Sequence, residues 1–275
     1  MLRVFSDGEG LFETSDGVKI FYRKIGQGSK ALLFMHGWGG NGSGSFWNQL
    51  LRHIYTKDLS MVVVDLRGHS RSDHTRDGFT TERFAEDMLD LATHLKLDEL
   101  IVVGYSMSAR WAQWMSCVRP AKISGQILIA PVAALALSFP EGMIDGWIRQ
   151  VSTREGFHGL ERQFMMQPVP SEILDDCFNA IQGTPEYTLR ETLKMCTESS
   201  FIEKLTAIRS PTIVIGGIHD PMSAPEYLER EIVRRIPGAR LSLLPCGHNL
   251  PLEMPLETAA VINAFVSGLS IMAVK

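Results

Sequence analysis

The stretch VVGYSMSARWAQWM, residues 102–115, sets two β-branched residues and a glycine ahead of a serine, and a helix-forming run behind it. Such a segment reads as a buried strand that turns at once into a helix. Ser106 sits at the turn itself, between the last strand residues and the first amides of the helix. Helix and strand must approach closely two positions either side of the turn, a demand that Gly104 meets without a side chain. Ser108, on the other side, carries a hydroxyl at the position where glycine would make the turn easier. A hydroxyl so placed is expected to bond back to local backbone.

A serine hydroxyl is a weak nucleophile until a histidine takes its proton, and that histidine needs a carboxylate to orient it and to stabilise its cation. Working outward from Ser106, the remaining chain alternates short β-rich runs with helix-period segments. Strands are expected over 11–14, 19–24, 31–35, 61–64, 99–103, 125–130, 212–215 and 240–244, the first two as a hairpin about Ser15, Asp16 and Gly17. Runs such as ALLFM, MVVV and ILIA are apolar on both alternating faces, as in a sheet covered by helices on both sides. Helices are expected over 46–54, 80–95, 106–117, 224–236 and 256–267. The fold class is therefore α/β, a mostly parallel central sheet with helices on both faces. In such sheets ligands bind outside the carboxyl ends of the strands. Three reactive side chains fall there: Ser106 after LIVVGY, Asp220 after TIVIGGIH, and His248 after LSLLPCG.

Between Pro131 and Ile208 the strand rhythm stops, and helical spacing takes over around 143–152, 159–166, 171–182 and 187–197. The division is a core of 1–130 and 209–275 with a helical lid inserted at 131–208, because long insertions are accommodated at loops where ligands bind. A second independent domain is the blander alternative.

Composition excludes several classes. The chain has 275 residues and a net charge of −4, with 27 basic residues dispersed along it, so it carries no electrostatic footprint of a nucleic-acid binder. Cys117, Cys177, Cys196 and Cys246 lie far apart without CxxC spacing, which argues against a zinc site or a disulfide framework and points to the cytoplasm. No metal and no cofactor is expected, since the acids and histidines lack ligand spacing such as HExxH. No window approaches the roughly 20 apolar residues of a membrane span. The expected partner is a small apolar substrate, taken by a monomer or homodimer.

Five segments in order, MHGWGG (35–40), DLRGHSRS (65–72), GYSMSA (104–109), GGIHDP (216–221) and GHNLPLEMP (247–255), resemble the α/β-hydrolase fold superfamily over nearly the whole chain. The chain order Ser, Asp, His is the one expected for that group. The resemblance implies a serine hydrolase with Ser106 as nucleophile on a sharp elbow, His248 as general base and Asp220 as its orienting acid. It implies oxyanion donors in the backbone amides of Trp38 and Met107. Asp65 is the rival acid, but it precedes the serine in the chain, and the resemblance makes it structural in the DxRGHxxS loop. His36 and His69 read as loop-shaping hydrogen bonders, while His53, His74, His94 and His158 read as solvated or locally paired. His219, although adjacent to Asp220, should point away from the site.

Trp111 and Trp114, three apart on the helix after Ser106, read as core packing rather than substrate wall. Phe139, Met143, Trp147, Phe157, Phe164, Met165 and Met166 line either an apolar pocket or the core of the lid itself. The expected activity is cleavage of a small or medium apolar carboxylic ester or lactone through an acyl-enzyme. Two alternatives use the same three side chains: a carbon–carbon hydrolase of ring-cleavage products, and a slow-turnover ligand sensor, which the GxSxSA elbow also resembles. Cofactor-free dioxygenation is weakened by PVAALAL (131–137), which carries no acid.

Overall fold

The computed structural model describes residues 7–28, 30–39, 45–55 and 57–273. Gly40, the last residue of MHGWGG, lies outside them, as do the ends of the expected core segments at 1–6 and 274–275. β1 (Gly8–Glu13) and β2 (Lys19–Ile25) form the expected hairpin, with Glu13 opposite Lys19. β3 (Lys30–Met35), α1 (Ser45–Leu51), β4 (Leu59–Val64), α2 (Thr81–His94), β5 (Glu99–Tyr105), α3 (Ala109–Val118) and β6 (Ile123–Ile129) follow. Four helices come next: α4 (Met143–Val151), α5 (Arg154–Phe164), α6 (Ser171–Ile181) and α7 (Glu186–Glu198). The chain then returns to the sheet with β7 (Thr212–Gly217), α8 (Pro225–Leu228), β8 (Arg240–Leu244), α9 (Leu250–Glu253) and α10 (Pro255–Ala273).

The strands form one sheet in the order β1-β2-β4-β3-β5-β6-β7-β8. β1 and β2 are antiparallel to their neighbours, and every pair from β4 to β8 is parallel. Parallel strands need helical crossovers, and these cover both faces. On one face Leu32, Phe34, Val63, Val103 and Ile129 pack with Trp47 and Leu50 of α1 and Ile262 and Phe265 of α10. On the other, Leu33, Met35, Val102 and Val214 pack with Phe84 and Met88 of α2, Trp111 and Met115 of α3 and Leu228 of α8. Trp111 is fully buried and stacks on Phe84 at 4.2 Å, and Trp114 meets Phe201 edge-on at 5.1 Å, so both are packing residues as expected. Arg67, also fully buried, holds Asp87 of α2 at 2.7 Å and Asp16 of the β1–β2 turn at 2.8 Å, tying the hairpin to the helical layer.

Several elements differ from the sequence reading, three of them for a visible reason. The helix expected from Ser106 begins as a single 3-10 turn over Ser106–Ser108 before α3 starts. The helix expected over 224–236 is α8 followed by a π turn, Glu229–Val233, closed by Arg234 N–H donating to the Glu229 carbonyl at 3.0 Å. The helix expected over 159–166 is α5, which starts earlier because Thr153 Oγ1 caps it, accepting from the Gly156 amide at 3.1 Å. It also ends earlier, since the Phe164 carbonyl accepts from the His248 amide at 2.7 Å instead of continuing the helix.

Candidate active site

At Ser106 the backbone takes φ +51°, a left-handed conformation that costs a non-glycine residue energy and so needs its surroundings to hold it. Three contacts do so. The Ser106 carbonyl accepts from the Val132 amide at 3.0 Å. Ser108 Oγ accepts from the Tyr105 amide at 2.9 Å and donates to the Met35 carbonyl at 2.7 Å. The expected local bond of Ser108 is therefore present, and a second one reaches across to the end of β3. A Cβ on Gly104 would lie 2.6 Å from Ala109 Cα, so the close approach of strand and helix admits glycine alone.

The turn directs the Ser106 hydroxyl at the loop after β8. His248 Nε2 lies 2.9 Å from Ser106 Oγ, and His248 Nδ1 lies 2.8 Å from Asp220 Oδ2. Asp220 is itself fixed, because its Oδ1 accepts from the amides of Met222 at 2.7 Å and Ser223 at 3.0 Å. Asp65 stands elsewhere: it is buried and accepts from the Arg71 amide at 3.3 Å. His219 is exposed in the turn after β7, whereas Asp220 next to it is buried.

Trp38 and Met107 line the same cavity as Ser106 and His248. Gly37 permits this approach, since a Cβ there would come within 3.3 Å of Ser106 Cβ. Trp38 Nε1 donates to the Leu189 carbonyl of α7 at 2.8 Å, and its ring meets Trp147 of α4 at 5.9 Å. Of the aromatics and methionines in the insertion, Phe139, Trp147 and Phe164 line this cavity and Phe157 lines an adjoining one. Met165 packs on the core and Met166 is exposed.

Beside the loop that carries Trp38, His36 and His69 are buried edge to face, with centroids 4.9 Å apart. His36 Nε2 accepts from the Leu66 amide at 3.1 Å, which leaves Nδ1–H to donate to the Gly37 carbonyl at 2.7 Å. Burial pushes His36 down to about 4 and, with repulsion from His36, His69 to about 3, so both are neutral scaffolds. His158 pairs with Asp175 at 3.0 Å. Among the described residues no cluster of His, Cys, Asp and Glu is arranged to hold a metal ion, and no helix is long and apolar enough to cross a membrane. None of the four cysteines forms a disulfide, and burial raises Cys117 and Cys196 to about 11 and Cys246 to about 12.

Three polar residues of this region carried no site assignment in the sequence. Glu253 accepts from the amides of Met166, Gln167 and Gly247 at 2.7, 2.9 and 2.9 Å, and from Asn249 at 3.0 Å. It thereby clamps the His248 loop to the end of α5. Asn249 accepts from Tyr105 Oη at 2.5 Å and donates to Glu161 at 2.8 Å. Asn249 and Glu253 fall inside GHNLPLEMP, one of the five segments that carry the resemblance. Glu161, on α5, had no local signal at all.

A sheet of this order, with reactive groups after β5, β7 and β8 and four helices between β6 and β7, defines the α/β-hydrolase fold. The model of the alpha/beta hydrolase family matches residues 32–261, and the chain belongs to that family. Its sequence is 28% identical over 253 residues to a non-heme chloroperoxidase from Kitasatospora aureofaciens, covering 84% of this chain and 88% of that protein. The structure is similar to an esterase from Exiguobacterium antarcticum, with a TM-score of 0.83, 20% identity and 94% and 98% of the two chains covered. It is also similar to the enol-lactonase from Burkholderia xenovorans, with a TM-score of 0.78, 19% identity and 94% and 100% covered. At those identities the two solved structures speak for the fold.

Proposed function

We propose that the protein is a serine hydrolase that cleaves a small or medium apolar carboxylic ester or lactone through an acyl-enzyme on Ser106. One observation carries the reading: Ser106 Oγ, His248 and Asp220 lie in one unbroken hydrogen-bonded line, 2.9 and 2.8 Å per link, at the wall of a largely apolar cavity. The esterase and enol-lactonase names among the structural neighbours support the same class of chemistry.

In this mechanism Ser106 Oγ attacks the acyl carbon while His248 Nε2 takes its proton. Asp220 Oδ2 accepts from Nδ1–H, holds the tautomer and stabilises the imidazolium that forms. The negative charge that develops on the carbonyl oxygen is met by the amides of Trp38 and Met107, the latter in the first turn of a helical segment. Fixed donors of this kind need no reorganisation at the moment of reaction. His248 then passes the proton to the departing alkoxide, leaving the acyl group on Ser106. A water deprotonated by His248 attacks that acyl carbon, Ser106 leaves with the proton, and the free acid departs. With a lactone the alcohol remains tethered, and the product is a hydroxy acid. Residues 131–208 act as a lid in this reading, since Phe139, Trp147 and Phe164 enclose the reacting bond with apolar surface.

Short-chain p-nitrophenyl esters test the assignment. Ser106→Ala is expected to lose hydrolysis by at least about a thousandfold with an unchanged circular dichroism spectrum. A fluorophosphonate adduct is expected on Ser106 by mass spectrometry. Retained turnover in Ser106→Ala, or an adduct on another residue, would sink the mechanism.

A further inference from the structure

Two cavities meet at the site, and Trp38, Tyr105, Glu161 and Asn249 line both of them. Glu161 is the only carboxylate among the described lining residues, and none of those residues is a lysine or arginine. Phe157, Leu160 and Phe164 from its own helix line the same two cavities, so much of the wall around it is hydrocarbon. A carboxyl group in such a wall loses hydration and must be compensated by hydrogen bonds.

The compensation inside the protein is half complete. Tyr105 Oη donates to Asn249 Oδ1 at 2.5 Å, which orients the amide so that Asn249 Nδ2 donates to Glu161 Oε2 at 2.8 Å. The direction of this relay is set, and Glu161 is its terminal acceptor. Glu161 Oε1 has no hydrogen-bond partner among the described residues. From this geometry we infer that Glu161 is a specificity-determining residue, whose Oε1 binds a hydrogen-bond-donating group, hydroxyl or ammonium, carried by the substrate away from its scissile bond. The inference rests on the hydrolase reading and narrows it: the substrate is an apolar ester or lactone with one polar donor, rather than a plain hydrocarbon ester. Burial pushes the Glu161 carboxyl above the usual range, opposed by the bond from Asn249 and the His248 charge. A hydroxyl, which both donates and accepts, suits the carboxyl in either protonation state, whereas an ammonium pairs with the ionised form.

The test compares methyl heptanoate with the isosteric methyl esters whose terminal methyl is replaced by hydroxyl or by ammonium. A parallel series carries the same replacements on the alcohol half of hexyl acetate. At least one donor-bearing ester is expected to exceed its methyl-ended isostere by about tenfold in kcat/KM, the order a single hydrogen bond to a charged group supplies. Glu161→Leu should bring that ratio close to one. In Glu161→Gln the amide oxygen takes Asn249 and its NH2 faces the cavity, so a hydroxyl preference survives in part and an ammonium preference is lost. This variant also serves as the readout if the leucine protein does not fold. Calorimetric binding of the same esters to Ser106→Ala gives the ratios without turnover. If Ser106→Ala still hydrolyses the esters while the ratios follow residue 161, the nucleophile assignment fails and the role of Glu161 stands. Ratios near one in the wild-type protein for both series, or ratios indifferent to both Glu161 variants, overturn it.

Discussion

Asp220 illustrates how much of a site depends on the two faces of one side chain. Its Oδ1 is committed to the amides of Met222 and Ser223, so only Oδ2 remains for His248 Nδ1. In Asp220→Asn the amide oxygen must stay with those two N–H groups, and the NH2 then faces His248. The imidazole is driven into the opposite tautomer, with Nε2 carrying a proton toward Ser106 instead of accepting one. Ester hydrolysis is expected to fall by about three orders of magnitude or more, with KM little changed, in steady-state assays. Loss confined to KM would mean that Asp220 serves binding rather than proton transfer.

Ser108 acts at the scale of elements, because its hydroxyl joins the end of β5 to the end of β3. Replacing it by glycine restores the easier turn but strands the Met35 carbonyl and the Tyr105 amide in a buried setting. Ser108→Gly is therefore expected to lower unfolding free energy by about 1–3 kcal/mol in denaturant titrations, the cost of leaving buried backbone groups unpaired. A neutral or stabilising result would mean that the turn's own conformational preference outweighs both bonds. The same logic explains the boundary of α5. Its last carbonyl and the amides after it are taken by His248 and Glu253, so a helix end is set by partners from the opposite end of the chain.

Over the whole molecule, the buried pair His36 and His69 couples stability to pH. Their folded-state values, about 4 and about 3, lie below the 6.5 of an exposed histidine. The unfolded chain therefore binds more protons across this range, and stability rises with pH. The contribution is complete above about pH 6.5 and declines as the pH falls toward the folded values, by about 3 kcal/mol for His36 alone. The melting temperature is expected to drop between pH 6.5 and 4, less steeply in His69→Phe. Equal slopes in the two proteins would show that other groups govern acid unfolding.

Local chemistry determined a large share of this protein. Apolar runs such as MVVV announce strands covered on both faces, Gly104 and the residues around Ser106 announce a tight strand-to-helix turn, and the order Ser106, Asp220, His248 follows from which side chains trail the strands. These features are legible because each depends on neighbours in sequence. Tertiary structure decided what depends on distant partners: where α5 starts and stops, the π turn after α8, the second bond of Ser108, the clamp made by Glu253 and the half-satisfied carboxyl of Glu161. A hydrogen bond between residues 161 and 249 leaves no periodicity in the chain. Only the packing of the inserted helices over the strand ends brings those two residues together, and with them a carboxylate into the largely apolar cavity beside Ser106.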